Sequence, residues 1–216
     1  MHDSDAPPLR EKPGHLPLNI HKIPENFRDK VALSLVRFMR FFADAFFKKR
    51  YGHRAVVLET VAAIPGMVGA MLKHFQCLRR MMDDQGWIEE LLDEAENERM
   101  HLMTFIHIAQ PTLIERLIVI LAQGIFGVLY FLVYICSPYT AHRIVGYLEE
   151  EAVISYTQYL AEVQEGRLEN VPAPALAKTY WGLSENAHLI DIIEVVRQDE
   201  CKHRDVNHTF ADSFLA

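Results

Sequence analysis

Two Glu-x-x-His tetrads, Glu98 to His101 and Glu200 to His203, constrain this chain more than any other feature. Each lies in a segment whose apolar residues recur at helical spacing, so a separation of three puts carboxylate and imidazole on one face, a single turn apart. Such a pair on an inward face needs partners, because an uncompensated buried charge is strongly destabilising. Two more glutamates stand in comparable surroundings. Glu59 is embedded among Val56, Val57, Leu58, Val61, Ala62, Ala63 and Ile64. Glu149, Glu150 and Glu151 fan around a later helix, so only one of them can point squarely inward. Glu149 shares a stripe with Ala152, Val153, Tyr156 and Leu160, whereas Glu151 shares its face with Ser155, Gln158 and Glu162. Periodicity selects Glu149, with Glu150 as the alternative.

With 11 His and 29 acidic residues in the chain, roughly one Glu-x-x-His is expected by chance. A third, Glu185 with His188, lies four turns before Glu200 and cannot share its level; it reads as a surface or capping pair, and Asp205 with His208 reads as a surface pair. The other two tetrads gain weight from Glu59 and Glu149. A carboxylate from each of two helices and a Glu-x-x-His from each of two others is the donor set of a ferritin-like four-helix bundle holding two metal ions. Four carboxylates and two imidazoles suit iron or manganese better than zinc, which takes fewer ligands and more nitrogen or sulfur. Asn97 and Asp199 adjoin the tetrads and are candidate outer partners of the ligands, although a surface role stays open for each. Tyr156, two turns from Glu149, either packs in the core or relays electrons beside a redox metal.

The expected fold is therefore all-α, with residues 26–216 forming one domain and the Pro-rich residues 1–25 an extended arm that either drapes over the surface or wraps a partner. Cys77, Cys136 and Cys201 are scattered and suggest neither a disulfide framework nor a zinc ribbon. A net charge of −7 argues against a nucleic-acid partner. The first residues show no cleavable-signal pattern, so a targeting peptide was either removed or never present.

Half the residues are hydrophobic, and two segments concentrate the excess. At about residues 27–50, Val31, Leu35, Phe38, Phe42, Ala45 and Phe46 form a stripe beside Arg28, Lys30, Arg37, Arg40, Lys48, Lys49 and Arg50, which fits either a core face or a helix lying in a membrane interface. Leu117 to Ala141 is the longest uncharged run, long enough to cross a bilayer, and a helix is expected over about residues 113–137. Helix lengths favour a return crossing of the bundle with its outer side in lipid, a monotopic protein, because Glu98 and Glu149 then finish at one height. Similar arithmetic levels Glu149 with Glu200. It fails between Glu59 and Glu98 unless the second helix, about residues 54–78 with a kink expected at Pro65-Gly66, stops well short of Asp83.

Leu58-Glu59-Thr60, Asn97-Glu98-Arg99-Met100-His101-Leu102, Leu148-Glu149-Glu150-Glu151-Ala152 and Asp199-Glu200 with His203 stand in the order in which they occur in the alternative oxidases, the cyanide-insensitive quinol oxidases of mitochondria. The chain resembles that family from about residue 27 onward. It departs at Arg197-Gln198-Asp199-Glu200-Cys201, where the family commonly has Arg-Ala-Asp-Glu-Ala. The resemblance implies two iron ions held by Glu59, Glu98, His101, Glu149, Glu200 and His203, with Tyr156 redox-active beside them. It implies oxidation of ubiquinol, reduction of dioxygen to water without proton pumping, and a homodimer bound monotopically, through its first and fourth helices, to the matrix face of the mitochondrial inner membrane. The family's quinone pocket maps onto Arg40, Arg54, Ala55, Leu58, Ala152, Ser155 and Tyr156, and its dimer contacts onto His74, Leu78, Arg79, Arg99, Leu102 and Gln123. Since no Cys precedes Cys77, the regulation that some members exert through an N-terminal Cys is expected to be missing. A quinone-ring hydroxylase with a similar bundle and a non-catalytic iron-binding bundle are the alternatives.

Overall fold

The computed structural model describes residues 17–47 and 50–215. The first part of the expected arm, together with Lys48 and Lys49 of the basic set, lies outside these residues. Seven helices follow in order: α1 Phe27–Phe47, α2 Tyr51–Arg80, α3 Trp87–Ala109, α4 Leu113–Cys136, α5 Pro138–Gln164, α6 Ala175–Trp181 and α7 Leu189–Ser213. Among the described residues there is no strand beyond an isolated bridge between Pro172 and His188. Helix pairs α2/α3 and α5/α7 are the most extensive contacts and build the bundle; α1 packs outside on α5, and α4 on α2 and α5.

Local chemistry sets the boundaries. Thr112 and Glu115 form a capping box that starts α4: the Thr112 hydroxyl accepts from the Glu115 N–H at 3.3 Å and the Glu115 carboxylate accepts from the Thr112 N–H at 2.8 Å. Ser137 ends α4 and caps α5, where Pro138 occupies the first turn and sacrifices no helical hydrogen bond. Helix α2 continues through Pro65 to Arg80, longer at both ends than expected. Short α6 is an addition to the expected pattern. Helix α7 begins at Leu189, and the His188 N–H donates to the Asp191 carboxylate at 2.8 Å.

The difficulty over Glu59 and Glu98 is resolved by overhang. Gly66 faces Leu91 and Ala95 on α3. From Gly66 to Arg80 the helix rises roughly 21 Å, and from Trp87 to Leu91 only roughly 6 Å. Residues 81–86 make up the difference by running back down, within the roughly 20 Å that six extended residues reach. A Cβ on Gly66 would stand 2.3 Å from the Leu91 carbonyl oxygen, so glycine here permits the backbone approach that brings the two helices together.

The first stripe is outward. Phe38 is 61% exposed, with Val31, Leu35, Phe42 and Phe46 also exposed, while Ala32, Leu33, Val36 and Phe47 are the buried set of α1. On α4 only Glu115, Tyr130 and Tyr134 are buried, and Leu113, Leu117, Ile120, Leu121, Ile125, Val128, Leu129 and Leu132 are exposed. Two helices, α2 and α4, are long and apolar enough to cross a membrane. The greater burial of α2, at 44% of its most apolar window against 11% for α4, marks α2 as a core element.

An ionic web, buried at Asp29 and Arg143 and open at Asp212, joins α1, α5 and α7. Arg143 Nε donates to Asp29 Oδ1 at 2.9 Å, its second terminal nitrogen binds Asp212, and the Tyr139 hydroxyl donates to Asp29 at 2.5 Å. His208 belongs here and corrects the surface reading of Asp205 and His208. It is buried, with Nε2 at 2.9 Å from Glu150 Oε1 and Nδ1 at 2.9 Å from an Arg143 nitrogen, while Asp205 pairs with Arg204 instead. The inward stripe of α7 runs on through Glu200, His203, Asn207, His208 and Ala211, and that periodicity overrides the i,i+3 pairing.

Candidate metal centre

Four helices each deliver a carboxylate to one buried volume. Ligand-capable atoms of Glu59 on α2, Glu98 and His101 on α3 and Glu200 on α7 all lie within 4.8 Å of one another. His101 Nδ1 stands 3.5 Å from Glu59, 3.4 Å from Glu98 and 3.3 Å from Glu200. His203 Nδ1 is 2.6 Å from Glu98 Oε1. Glu149 on α5 is buried and hydrogen-bonded to Glu200. All six residues expected as ligands are thus brought together. Glu150 points elsewhere, into the web around His208, which leaves Glu149 as the one of these two acids turned toward the cluster.

The donor set fits metal ions. Glu59 Oε2, both oxygens of Glu98, His101 Nδ1, Glu200 Oε2 and His203 Nδ1 are buried and crowd one another, with no well-aligned hydrogen bond to any of them. Orphaned acceptors converging on one point are costly unless a cation joins them. The electrostatics agree. Burial, reinforced by the neighbouring carboxylates, pushes the Glu59 and Glu149 carboxyls well above their ordinary range. Burial also opposes the charged forms of Glu98 and the two imidazoles, yet mutual attraction wins: Glu98 is held well below its usual value, His101 is raised well above it and His203 is raised to about 9. Protons supply the positive charge that ions would otherwise bring.

The far side of His101 fixes its tautomer. Its Nε2 lies 3.3 Å from Asp199 Oδ2, which also accepts from Trp181 Nε1 at 2.8 Å and Asn97 Nδ2 at 2.9 Å. Asn97 donates further to the Tyr180 hydroxyl at 3.1 Å. Burial opposes the Asp199 charge, but His101, Trp181 and Asn97 hold its carboxyl below the usual range. Asn97 is 1% exposed and the Asp199 side chain 15% exposed, so neither of these two residues is a surface residue. Tyr180 and Trp181 belong to α6, which periodicity did not reveal.

A cavity of about 160 Å³ leads to the centre. Its walls include all seven residues of the expected quinone pocket, Arg40, Arg54, Ala55, Leu58, Ala152, Ser155 and Tyr156, and its inner end reaches Glu59, Glu98, Glu149 and Glu200. The Tyr156 hydroxyl donates to Glu59 Oε1, and its ring stacks on Phe105 at 5.6 Å. Burial raises the Tyr156 phenol well above its ordinary value, helped by the Glu59 carboxylate. Two acids missed in the sequence organise the polar side. Asp44 binds both Arg40 and Arg54, and Glu151, assigned from periodicity to an outer face, lines the cavity and binds Arg40. Glu151 reaches inward because α1 packs over that side of α5 and brings Arg40 to it. Arg54 Nε is buried without a partner.

The expected dimer residues do not share one environment. His74, Leu78, Arg79 and Arg99 are exposed, Leu102 packs partly against the chain's own core, and Gln123 donates to the Thr60 carbonyl at 3.1 Å.

Comparison with known proteins agrees with this geometry. The family model for alternative oxidase matches residues 18–212. A mitochondrial ubiquinol oxidase of Batrachochytrium dendrobatidis is 58% identical over 91% of this chain and 62% of its own length. The mitochondrial ubiquinol oxidase 2 of Glycine max and the mitochondrial ubiquinol oxidase 1c of Arabidopsis thaliana are each 55% identical over 90% of this chain and 59% of their own. The chain thus spans about three fifths of the length of these curated relatives. A buried set of acids and imidazoles on four helices, a cavity reaching it from the side of two apolar helices, and a match over nearly the whole chain together show that it belongs to the alternative oxidase family.

Proposed function

We propose that the chain is a membrane-associated di-iron ubiquinol oxidase, which oxidises two ubiquinols and reduces one dioxygen to two waters without moving protons across a membrane. The observation that carries this reading is the cavity that joins the buried carboxylate and imidazole cluster to the α1 and α2 side of the bundle. Glu59, Glu98, His101, Glu149, Glu200 and His203 would hold two iron ions, which when bound supply the electron transfer and dioxygen reduction. The nitrogens available to hold them would be His101 Nδ1, since its Nε2 is committed to Asp199, and His203 Nδ1, which faces Glu98.

The chain's own residues perform the remaining work. Apolar walls, including Val36, Ala55, Leu58, Val61 and Phe126, exclude water and admit a lipid-soluble ring. The Arg54 Nε–H and the Arg40 guanidinium are donors for the quinol oxygens, and Asp44 and Glu151 keep those side chains in place. Two quinols giving up four electrons also give up four protons, which the formation of two waters consumes; Glu59, at the inner end of the cavity, is placed to pass them on one at a time. Tyr156, hydrogen-bonded to Glu59, stands between ring and centre as an electron relay.

The exposed apolar faces of α1 and α4 would lie in one leaflet, with Arg28, Lys30 and Arg37 at the headgroups, giving a monotopic protein. By the names of its relatives, that membrane is mitochondrial; the inner membrane and its matrix face complete the assignment. On α2, Met67, Met71, Phe75 and Leu78 repeat at helical spacing on an exposed face beside His74 and Arg79, and a second copy of the chain would cover it, with Arg99, Leu102 and Gln123 near the rim. Purified, iron-loaded protein in detergent is expected to consume oxygen with ubiquinol in the presence of cyanide and to release unmodified ubiquinone. Oxygen appearing on the quinone ring would establish the hydroxylase instead, and two irons without oxygen uptake would establish a binding bundle.

A further inference from the structure

Residues 17–22 run along the outside of the bundle and touch it beside the ligands. On α5 they meet Glu150, next to Glu149: Oε1 accepts from the Lys22 backbone N–H at 2.8 Å, and Oε2 binds His21 Nδ1. On α7 they meet Arg204, next to His203: its guanidinium donates to the Pro17 carbonyl at 3.1 Å. Two turns further along α7, Lys22 Nζ donates to Asp212 at 3.1 Å. Six residues span up to roughly 20 Å, ample to bridge neighbouring helices about 10 Å apart. Inside, the same two helices touch where Gly146 leaves room for the His208 ring, and His208 Nε2 shares Glu150 Oε1 with the arm.

We propose that this segment is a strap that fixes the separation of α5 and α7 at the level of the metal centre, with His21 and Lys22 as positioning residues for Glu149 and His203. The inference rests on the six-ligand reading given above. Metal ligands must be held to about half an ångström, and a side chain is only as well placed as its helix. None of the strap's contacts reaches the cavity, so its effect is on affinity and geometry rather than on substrate.

The test is a cobalt(II) titration of the metal-free full chain, followed by the visible absorption of the bound ion and by its release to a chelator. The His21→Ala/Lys22→Ala double variant is expected to bind cobalt about tenfold more weakly, to release it faster and to shift the absorption bands, at unchanged helical content. His21→Gln/Lys22→Arg restores the hydrogen bonds and should come within twofold of the parent. Lys22→Ala alone loses only rim contacts, to a half-exposed Asp212 and an exposed Glu25; it leaves the bundle core untouched and should show a smaller change of the same sign. Affinity and bands unchanged in the double variant would overturn the strap while leaving the metal reading intact. A parent protein that binds no cobalt would remove both.

Discussion

Replacing Asp199 by Asn tests whether the residues behind His101 tune the metal centre. Asp199 Oδ2 collects three donors, from His101 at 3.3 Å, Trp181 at 2.8 Å and Asn97 at 2.9 Å. An amide oxygen in the same place still accepts all three, so the fold of the metal-free protein should lose less than about 1 kcal/mol, the scale of one neutral hydrogen bond. What disappears is the negative charge that makes the imidazole a better donor through Nδ1. Outer partners of this kind change metal affinity by about 10- to 100-fold, or about 1.4–2.8 kcal/mol. Chelator competition on the cobalt-loaded protein measures the affinity, and thermal melting of the metal-free protein measures the fold. Asp199→Ala is the contrasting variant: it strands three buried donors and should lower melting and affinity together. Affinity within twofold of the parent in Asp199→Asn would refute the argument that this carboxylate acts through His101.

Four further outcomes are expected. Since the carboxylates hold His101 protonated and raise His203 to about 9, metal must displace protons, so affinity should climb from pH 6 to about 9 by up to a hundredfold per unit for two released protons, as seen in titrations across that range. The sign is opposite for the metal-free fold: the stability contributed by the raised His203 is complete below its unfolded value of 6.5 and is lost as pH rises through about 9, which denaturant titration at several pH values would show. On α4, the Leu121→Asp/Ile125→Asp variant places charges on side chains 64% and 54% exposed; if that face lies in lipid, vesicle flotation should fall at least tenfold with melting unchanged. Gly66→Ala puts a methyl 2.3 Å from the Leu91 carbonyl, and pushing α2 from α3 should cost about 1–3 kcal/mol in chemical denaturation and weaken cobalt binding, because Glu59 moves with α2.

Much of the centre was legible in the residues because its information is local. A Glu and a His three apart on a helix share a face whatever surrounds the helix, so Glu98 with His101 and Glu200 with His203 were fixed by covalent geometry. The stripe through Ala152, Val153, Tyr156 and Leu160 likewise separated Glu149 from Glu150, and the uncharged run from Leu117 located α4, although it continues past the end of that helix. Resemblance to a family suggested the roles that periodicity left open, notably the proposed quinone pocket.

The tertiary structure decided what depends on which elements meet. Glu59 reaches the level of Glu98 only because residues 81–86 double back along α2, a course that helix arithmetic cannot contain. Glu151 turns inward because α1 packs over that side of α5 and brings Arg40 to it. His208, read as half of a surface pair, is buried because Arg143 and Glu150 on α5 face it. Asp199 becomes the anchor of His101 through Trp181, on a short helix whose few residues carry almost no periodic signal. Side-chain direction along one helix is set by the chain itself, whereas polarity, partners and protonation are set by neighbours distant in sequence, and these appear only when the helices are packed.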